Sequence, residues 1–181
     1  MGTLVSQRLR LQPLLEGHAD LLFEDLQAPE LYTFIPQDPP ELIGLRKRYA
    51  FLEGGESPDG QERWLNWVAI EHETGDAIGQ FQATVRPGSS TNIGYSIFPR
   101  SWRKGYAKEM CLSLIGYIFN SFDTHVIYAE IDTRNIGSIA LVESLGFSKV
   151  GMTKDADFFK GSSSDEYRFD LTRAKWSGSS L

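Results

Sequence analysis

The residues best suited to chemistry lie in a basic turn that leads into a long amphipathic segment. An apolar stretch over residues 93–98 ends at Pro99, and the turn after it contains Arg100, Arg103, Lys104 and Gly105. Beyond the turn, apolar residues recur with helical spacing, which predicts one buried helix face formed by Ala107, Met110, Cys111, Leu114, Ile118 and Phe122. A helix N-terminus offers backbone N–H groups without intrahelical partners and the positive end of the helix dipole. The turn is therefore a candidate phosphate site, although basic residues around a tight turn also occur without any ligand.

Two common phosphate-binding motifs do not describe this turn. It lacks the Gly-Lys-Ser/Thr ending of a Walker loop, and it lacks the three spaced glycines of a dinucleotide-binding fingerprint. The turn instead resembles motif A of the GNAT superfamily of N-acetyltransferases, in which Q/R-x-x-G-x-G/A cradles the pyrophosphate of acetyl-coenzyme A. Residues 102–107 fall on that pattern, with Trp102 in place of Gln or Arg. Arg103 stands where the RimJ/RimL branch, the ribosomal-protein N-terminal acetyltransferases, usually has Gly.

A second stretch of the chain strengthens this resemblance. Residues 135–147 are similar to the N-x-x-S-x-x-x-x-E-x-x-G-F signature of the same branch. Residues 6–14 resemble its first strand, and residues 31–40 resemble its substrate-side segment. The resemblance covers residues 5 to 171 in the order found in the family, and on these motifs the chain is identified as a member of the RimJ/RimL-like branch.

The resemblance implies a fold, a domain organisation and a cosubstrate. The expected fold is α/β (α+β), with a mixed, mostly antiparallel sheet of about seven strands, splayed at its centre and flanked by about four helices. A single acetyltransferase domain is expected over residues 5–173, followed by a polar tail over residues 174–181. The cosubstrate is acetyl-coenzyme A. The residues that would bind it are the backbone of Ser96, Ile97 and Phe98, the turn residues Arg103, Lys104, Gly105, Tyr106 and Ala107, and Asn135 and Ser138.

Ser138 is a candidate catalytic residue. On a helix over residues 136–145 it shares the apolar face with Leu141, Val142 and Leu145, and a buried hydroxyl needs a partner. That partner is either a carbonyl one turn back or, as the resemblance implies, the coenzyme thiol. Many GNAT enzymes carry a tyrosine general acid where this chain has Val142, so Ser138 or water has to serve here. Asn135 is well placed as the N-cap of the helix, a role that could explain it alone.

The catalytic proton acceptor has three candidates. Glu130 and Asp132 share one face of a strand with Tyr128 because side chains alternate along a strand. Asp165, in the loop predicted before the last strand, matches an acidic position common in the branch better than Glu166 does. All of these carboxylates could equally be solvated surface charges.

Composition excludes several classes of function. The chain has 181 residues, and 18 Lys and Arg against 24 Asp and Glu give a net charge of −6, which argues against nucleic-acid binding. The single cysteine, Cys111, permits no internal disulfide and is expected to be buried and inert. No spacing of ligands predicts a metal site. The N-terminus lacks a signal-peptide core and no apolar run reaches bilayer length, so no membrane partner and a cytoplasmic location are expected.

The predicted activity is the transfer of an acetyl group from acetyl-coenzyme A to a primary amine by direct attack in a ternary complex. The amine could belong to a protein N-terminus or to a small molecule. The sequence also leaves open whether the chain forms a homodimer. The alternative is a non-catalytic regulatory module that has the GNAT fold and binds acyl-coenzyme A.

Overall fold

The chain folds around one open β-sheet that carries helices on both faces. The computed structural model describes residues 2–177. Its strands are β1 Leu4–Val5, β2 Leu9–Pro13, β3 Arg63–Glu71, β4 Ala77–Arg86, β5 Ser90–Ile97, β6 Val126–Asp132, β7 Ser148–Phe159 and β8 Ser162–Thr172. Its α-helices are α1 His18–Leu22, α2 Leu42–Glu53, α3 Tyr106–Ser121, α4 Ile136–Ser144 and α5 Arg173–Ser177. Short 3₁₀ turns span Asp25–Gln27, Pro29–Tyr32 and Pro99–Ser101.

The sheet is mixed and mostly antiparallel, as the sequence predicted. The strand order is β1-β2-β3-β4-β5-β6-β8-β7, and β5 with β6 form the parallel pair. Among the described residues there are eight strands and five α-helices, against about seven and four expected. The difference comes from short elements such as β1, with two residues, and α5, with five, which carry too little periodicity to be recognised in a sequence.

The two central strands part soon after they meet. β5 pairs with β6 through Ser90, Thr91 and Asn92, which lie opposite residues 126–128. From residue 93 onward, within the part of the chain that the structure describes, β5 pairs with β4 alone. The predicted splay at the sheet centre is therefore confirmed, and it opens a gap beside the second half of β5.

Each face of the sheet buries its own core, because side chains alternate along the strands. α3 and α4 pack on the face that carries Trp67, Phe81, Ile97 and Phe169. α1 and α2 cover part of the opposite face, over Val68 and Ile70. The predicted buried face of α3 is confirmed at Met110, Cys111, Leu114 and Ile118, and Phe119 joins it. The two helix layers therefore lie on opposite faces of the sheet, with α3 and α4 on the face that carries Ile97.

Two local expectations differ from the structure. The helical spacing of Leu21, Leu22 and Leu26 in the sequence predicts a helix over residues 16–27, but these residues form only α1 and a 3₁₀ turn. The loop predicted between the last two strands is instead a two-residue turn at Lys160 and Gly161, with φ of 51° and 80°. Positive φ at both central residues is the geometry of a type I′ hairpin, which lets β8 begin at Ser162.

The predicted polar tail begins inside helix α5. Trp176 of this helix packs on the main core, with its ring 6.1 Å from the ring of Phe119. The rest of the predicted tail, residues 178–181, lies outside the described residues. The boundary between domain and tail stays a prediction.

Candidate active site

The basic turn has the backbone geometry of an anion cradle. Gly105 is the N-cap of α3 with φ of 82°, and Arg103 also has a positive φ, 59°. Within residues 2–177 no side chain caps the N-terminus of α3, so the first N–H groups of the helix are left for another acceptor. Arg103 and Lys104 are exposed beside them. These features fit a pyrophosphate group, and they leave Tyr106 and Ala107 to contribute through their backbone N–H groups.

The cradle is braced by a residue that sequence reasoning did not single out. Arg8 donates a hydrogen bond of 2.9 Å to the carbonyl of Lys104 and one of 2.7 Å to the carboxylate of Glu109. Its guanidinium also lies 4.4 Å from the centre of the Tyr106 ring. The phenol of Tyr106 donates to Glu71. The side chain of Tyr106 therefore has a structural role, and Arg8, directly before β2, holds the turn in place.

Arg100, one of the basic residues of the turn, binds groups outside the turn. Arg100 forms a two-pronged ion pair with Asp25, with both N–O distances 2.7 Å, and donates to the carbonyl of Ala77. It ties the 3₁₀ turn before α3 to the start of β4 and to the 3₁₀ turn Asp25–Gln27. Arg100 is not among the residues expected to bind the coenzyme, and its pairing with Asp25 leaves Arg103 and Lys104 as the basic residues beside the N-terminus of α3.

The backbone groups of Ser96, Ile97 and Phe98, which were predicted to bind the coenzyme, point in two different directions. The N–H of Phe98 donates to the carbonyl of Ile78 at 2.9 Å, so Phe98 faces β4. In an antiparallel ladder residues two apart face the same neighbour, and Ser96 therefore faces β4 as well. Ile97 and Tyr95 have the opposite orientation and face the gap. The carbonyl of Ile97 accepts a hydrogen bond from the indole N–H of Trp102, while its N–H points into the gap.

The start of α4 closes the gap from the other side. Asn135 is the N-cap, as predicted, and its side-chain oxygen accepts a hydrogen bond of 3.1 Å from the N–H of Ser138. The hydroxyl of Ser138 does not bond a carbonyl one turn back. It lies 2.7 Å from the hydroxyl of Tyr95 on β5. Val142 is fully buried, so the position of the usual tyrosine acid is filled by core packing.

The single cysteine is buried beneath this site. Cys111 has no exposed surface, and burial raises the pKa of its thiol. A protonated, inaccessible thiol is a poor nucleophile, which supports the prediction that Cys111 is inert.

Three acidic side chains line the opposite face of the sheet beyond the point where β5 and β6 part. Asp132, at the end of β6, is buried and accepts hydrogen bonds from Arg134 at 2.6 Å and from the hydroxyl of Ser164 at 2.6 Å. These bonds lower the pKa of Asp132 to about 2, and the bond from Arg134 has the largest effect. Because such an acidic group accepts protons poorly at neutral pH, the geometry gives Asp132 a structural role rather than the catalytic one that was proposed for it.

The other two carboxylates on this face are Glu130 and Glu166. Glu130 is exposed on β6, and Glu166 lies opposite Asp132 on β8. Burial raises the pKa of Glu166, and the neighbouring carboxylates of Glu130, Asp157 and Asp132 raise it further. A carboxyl group with a raised pKa is better matched to accepting a proton near neutral pH. Glu166 therefore has the electrostatic setting that a proton acceptor needs.

Asp165 lies in strand β8 and not in a loop. Its carboxylate accepts a hydrogen bond of 2.9 Å from the backbone N–H of Asp155, and its carbonyl accepts one from Thr133. Side chains alternate along β8, so Asp165 faces away from the side occupied by Glu166. The sequence interpretation placed Asp165 in a loop and ranked it above Glu166 because it matches an acidic position common in the branch better.

Sequence reasoning missed Tyr95 altogether. A tyrosine within an apolar strand is ordinarily a core residue, and nothing in the spacing links it to Ser138, 43 positions later. Over residues 2–177 no group of three or more His, Cys, Asp or Glu side chains could hold a metal ion. Over the same span no helix has the length and apolar character needed to cross a membrane.

Comparisons with known proteins identify the family to which the chain is similar. A family model described as an acetyltransferase (GNAT) domain matches residues 8–148. The uncharacterized N-acetyltransferase p20 of Bacillus licheniformis is 29% identical over 180 residues, which cover 98% of this chain and 100% of that protein.

Solved structures show the same fold at low sequence identity. Spermidine N-acetyltransferase from Vibrio cholerae, in complex with CoA and spermine, has a TM-score of 0.80 at 21% identity and covers 93% of this chain and 98% of that one. Ribosomal-protein-S5-alanine acetyltransferase from Vibrio fischeri has a TM-score of 0.83 at 18% identity, with coverages of 96% and 98%. Since the family model spans most of the chain, the protein belongs to the GNAT family of acetyl-coenzyme-A-dependent N-acetyltransferases.

Proposed function

We propose that the protein transfers an acetyl group from acetyl-coenzyme A to a primary amine by direct attack, with both substrates bound at once. The observation that carries the proposal is the gap between β5 and β6. On the α3 side it is bordered by the anion cradle at Gly105 and by Ser138, and on the other side by Glu130 and Glu166. The donor and the acceptor would thus meet from opposite faces of the sheet.

Each side of the gap supplies a different function. The free N–H groups at the start of α3 and the charges of Arg103 and Lys104 hold the pyrophosphate. When bound, acetyl-coenzyme A supplies an activated thioester. The N–H of Ile97 faces the gap and is the backbone donor available to the thioester carbonyl, and fixed donors of this kind typically increase rates 10²- to 10³-fold. In the reaction the amine nitrogen forms a bond to the acetyl carbon and the carbon–sulfur bond breaks.

The carboxylates favour a cationic acceptor. Glu130, Asp132, Asp157 and Glu166 create a negative region that attracts an ammonium group, and Glu166 accepts its proton directly or through one water. The acceptor class we propose is a protein N-terminal amine or a polyamine-like small molecule, in keeping with the spermidine and ribosomal-protein acetyltransferases that share the fold.

The test is a coenzyme A release assay against a panel of N-terminal peptides, polyamines and amino acids. We expect amine-dependent release of coenzyme A, with the acetylated amine detected by mass spectrometry. Binding of acetyl-coenzyme A without release on any member of the panel would favour the non-catalytic module. A failure to bind acetyl-coenzyme A would refute the assignment of the cradle.

If Glu166 accepts the proton, replacing it should change both the stability of the protein and its turnover. Because its pKa is raised, ionisation of Glu166 costs the folded state stability once the pH exceeds the ordinary carboxyl pKa. Glu166→Gln should therefore make the protein more stable at pH 7, as measured by urea unfolding, while turnover falls about 10²-fold or more. The matched control is Asp165→Asn, at a position that faces away from the gap, and it should stay within about threefold of wild type. If Glu166→Gln also stays within that range, the proton goes to water.

A further inference from the structure

The hydroxyl groups of Tyr95 and Ser138 are joined across the gap. Tyr95 lies on the part of β5 that has already separated from β6, and Ser138 lies in the first turn of α4, which follows β6. Their oxygen atoms are 2.7 Å apart. This bond therefore connects the two sides of the opening at the level where the proposed function places the reacting thioester.

Either hydroxyl could donate in this bond, and the available partners favour Tyr95. A phenol has one hydrogen to donate, and the alternative acceptor near Tyr95 is the carbonyl of Ser138 at a longer 3.4 Å. A phenol is also a stronger acid than an aliphatic hydroxyl, so we assign Tyr95 as the donor and the oxygen of Ser138 as the acceptor. The hydrogen of Ser138 then remains for a second acceptor. Asn135 holds the backbone of Ser138 in place through its N–H, which limits where that hydrogen can point.

The surroundings of Tyr95 keep it a donor. It packs against the main core, and burial raises the pKa of its phenol, with Cys111 as a further contribution. The hydrogen bond with Ser138 acts in the opposite direction, but burial is the largest of the three effects on the pKa. Tyr95 therefore stays protonated over the physiological pH range and keeps a hydrogen to donate.

We propose that Tyr95 is a positioning residue that orients the hydroxyl of Ser138 so that its hydrogen points to the coenzyme sulfur. This inference rests on the proposed function and extends it. Ser138 stabilises the departing sulfur through a hydrogen bond and keeps its own proton. The ammonium proton of the acceptor passes to Glu166 or water, and the thiolate is protonated from solvent. The pair supplies the leaving-group stabilisation that Val142 cannot provide.

The experiment compares Tyr95→Phe, Ser138→Ala and the double variant with wild type. Phe retains the ring packing, and a thermal melt verifies the fold. The matched control is Tyr117→Phe, a tyrosine of α3 whose ring packs on Trp67 at 5.6 Å in the same core. The measurements are kcat, the Kd of acetyl-coenzyme A, and the thiol pKa of bound coenzyme A, followed by the ultraviolet absorbance of its thiolate.

We expect Tyr95→Phe to lower kcat about five- to tenfold, with Kd within about twofold of wild type. It should also raise the thiol pKa of bound coenzyme A, because the hydrogen bond to the thiolate is less well oriented. In the Ser138→Ala background the same change should have no further effect, while Tyr117→Phe should alter neither kcat nor thiol pKa.

Two results would overturn the proposal. One is an equal loss of kcat from Tyr95→Phe in both backgrounds. The other is a lower melting temperature with kcat and thiol pKa unchanged, which would make Tyr95 a packing residue. If wild type turns over no amine, the proposed function fails, and the thiol pKa of bound coenzyme A still tests the Tyr95–Ser138 pair independently.

Discussion

Arg103 and Gly105, both in the phosphate turn, have left-handed backbone conformations. Gly105 meets this requirement at no steric cost, and a Cβ at this position would lie 3.4 Å from the guanidinium of Arg8. Arg103 meets it at a cost, since residues with a Cβ lose about 1 kcal/mol or more in this region. The resemblance noted in the sequence has Gly at this position, and the backbone angle gives the physical reason. Arg103 thus lowers the stability of the folded protein and places a positive charge beside the cradle.

Two substitutions at Arg103 separate these effects. Arg103→Gly removes both the strain and the charge, whereas Arg103→Ala removes the charge alone. We expect Arg103→Gly to raise the free energy of unfolding by about 1 kcal/mol relative to Arg103→Ala. Both variants should weaken coenzyme binding by a similar factor of roughly two to five, because an exposed charge contributes little. Urea unfolding and titration with acetyl-coenzyme A measure the two quantities. Equal unfolding free energies for the two variants would show that the turn is not strained.

At the scale of elements, the hairpin of β7 and β8 is tied to the segment that follows the 3₁₀ turn Pro29–Tyr32. The ammonium of Lys160, at the tip of the hairpin, donates to the carbonyl of Tyr32 and lies 3.4 Å from the carbonyl of Ile35. Both elements border the region where the resemblance implies acceptor entry. A single charged side chain therefore links the two elements.

Breaking this tie should affect the acceptor and spare the coenzyme. We expect Lys160→Met, which keeps the apolar stem, to raise the KM for the acceptor about two- to fivefold and to leave the Kd of acetyl-coenzyme A unchanged. Lys154→Met, at an exposed position on β7, is the matched control. Steady-state kinetics with varied acceptor make the comparison. The same KM shift in both variants would attribute the effect to net charge rather than to the tie.

At the scale of the whole molecule, Asp132 links the stability of the sheet to pH. It joins β6 to β8 through Ser164 and is held ionised by Arg134. The folded pKa of about 2 lies below the ordinary value of 3.8, so the stabilisation is complete above about pH 4 and is lost as the pH falls through 2.

This linkage predicts an acid-sensitive fold. Between pH 5 and pH 2 the free energy of unfolding of wild type should fall by about 2 kcal/mol more than that of Asp132→Asn, since the variant has no carboxylate to protonate. Urea unfolding at a series of pH values gives both curves, with Asp123→Asn, at a position 87% exposed, as the control. Parallel curves for wild type and Asp132→Asn would contradict the assignment.

The sequence by itself determined the features that are encoded over short distances. Helical periodicity predicted the long helix that begins at Tyr106, and strand alternation predicted the strand that ends at Asp132. The turn residues predicted that a basic turn at Gly105 leads into a helix N-terminus, and Asn135 was predicted as the N-cap of α4. Such features depend on neighbours three or four positions away, so a local pattern is enough to specify them.

Only the tertiary structure decided which distant residues share a site. The Tyr95–Ser138 bond joins residues 43 positions apart, and the setting of Glu166 depends on carboxylates from two other strands, β6 and β7. The type I′ turn at Lys160 and Gly161 shifted Asp165 from a loop into a strand, because lysine gives no sequence signal for a positive φ. Register and packing alone set these contacts, since a one-residue shift of a strand moves every side chain to the other face.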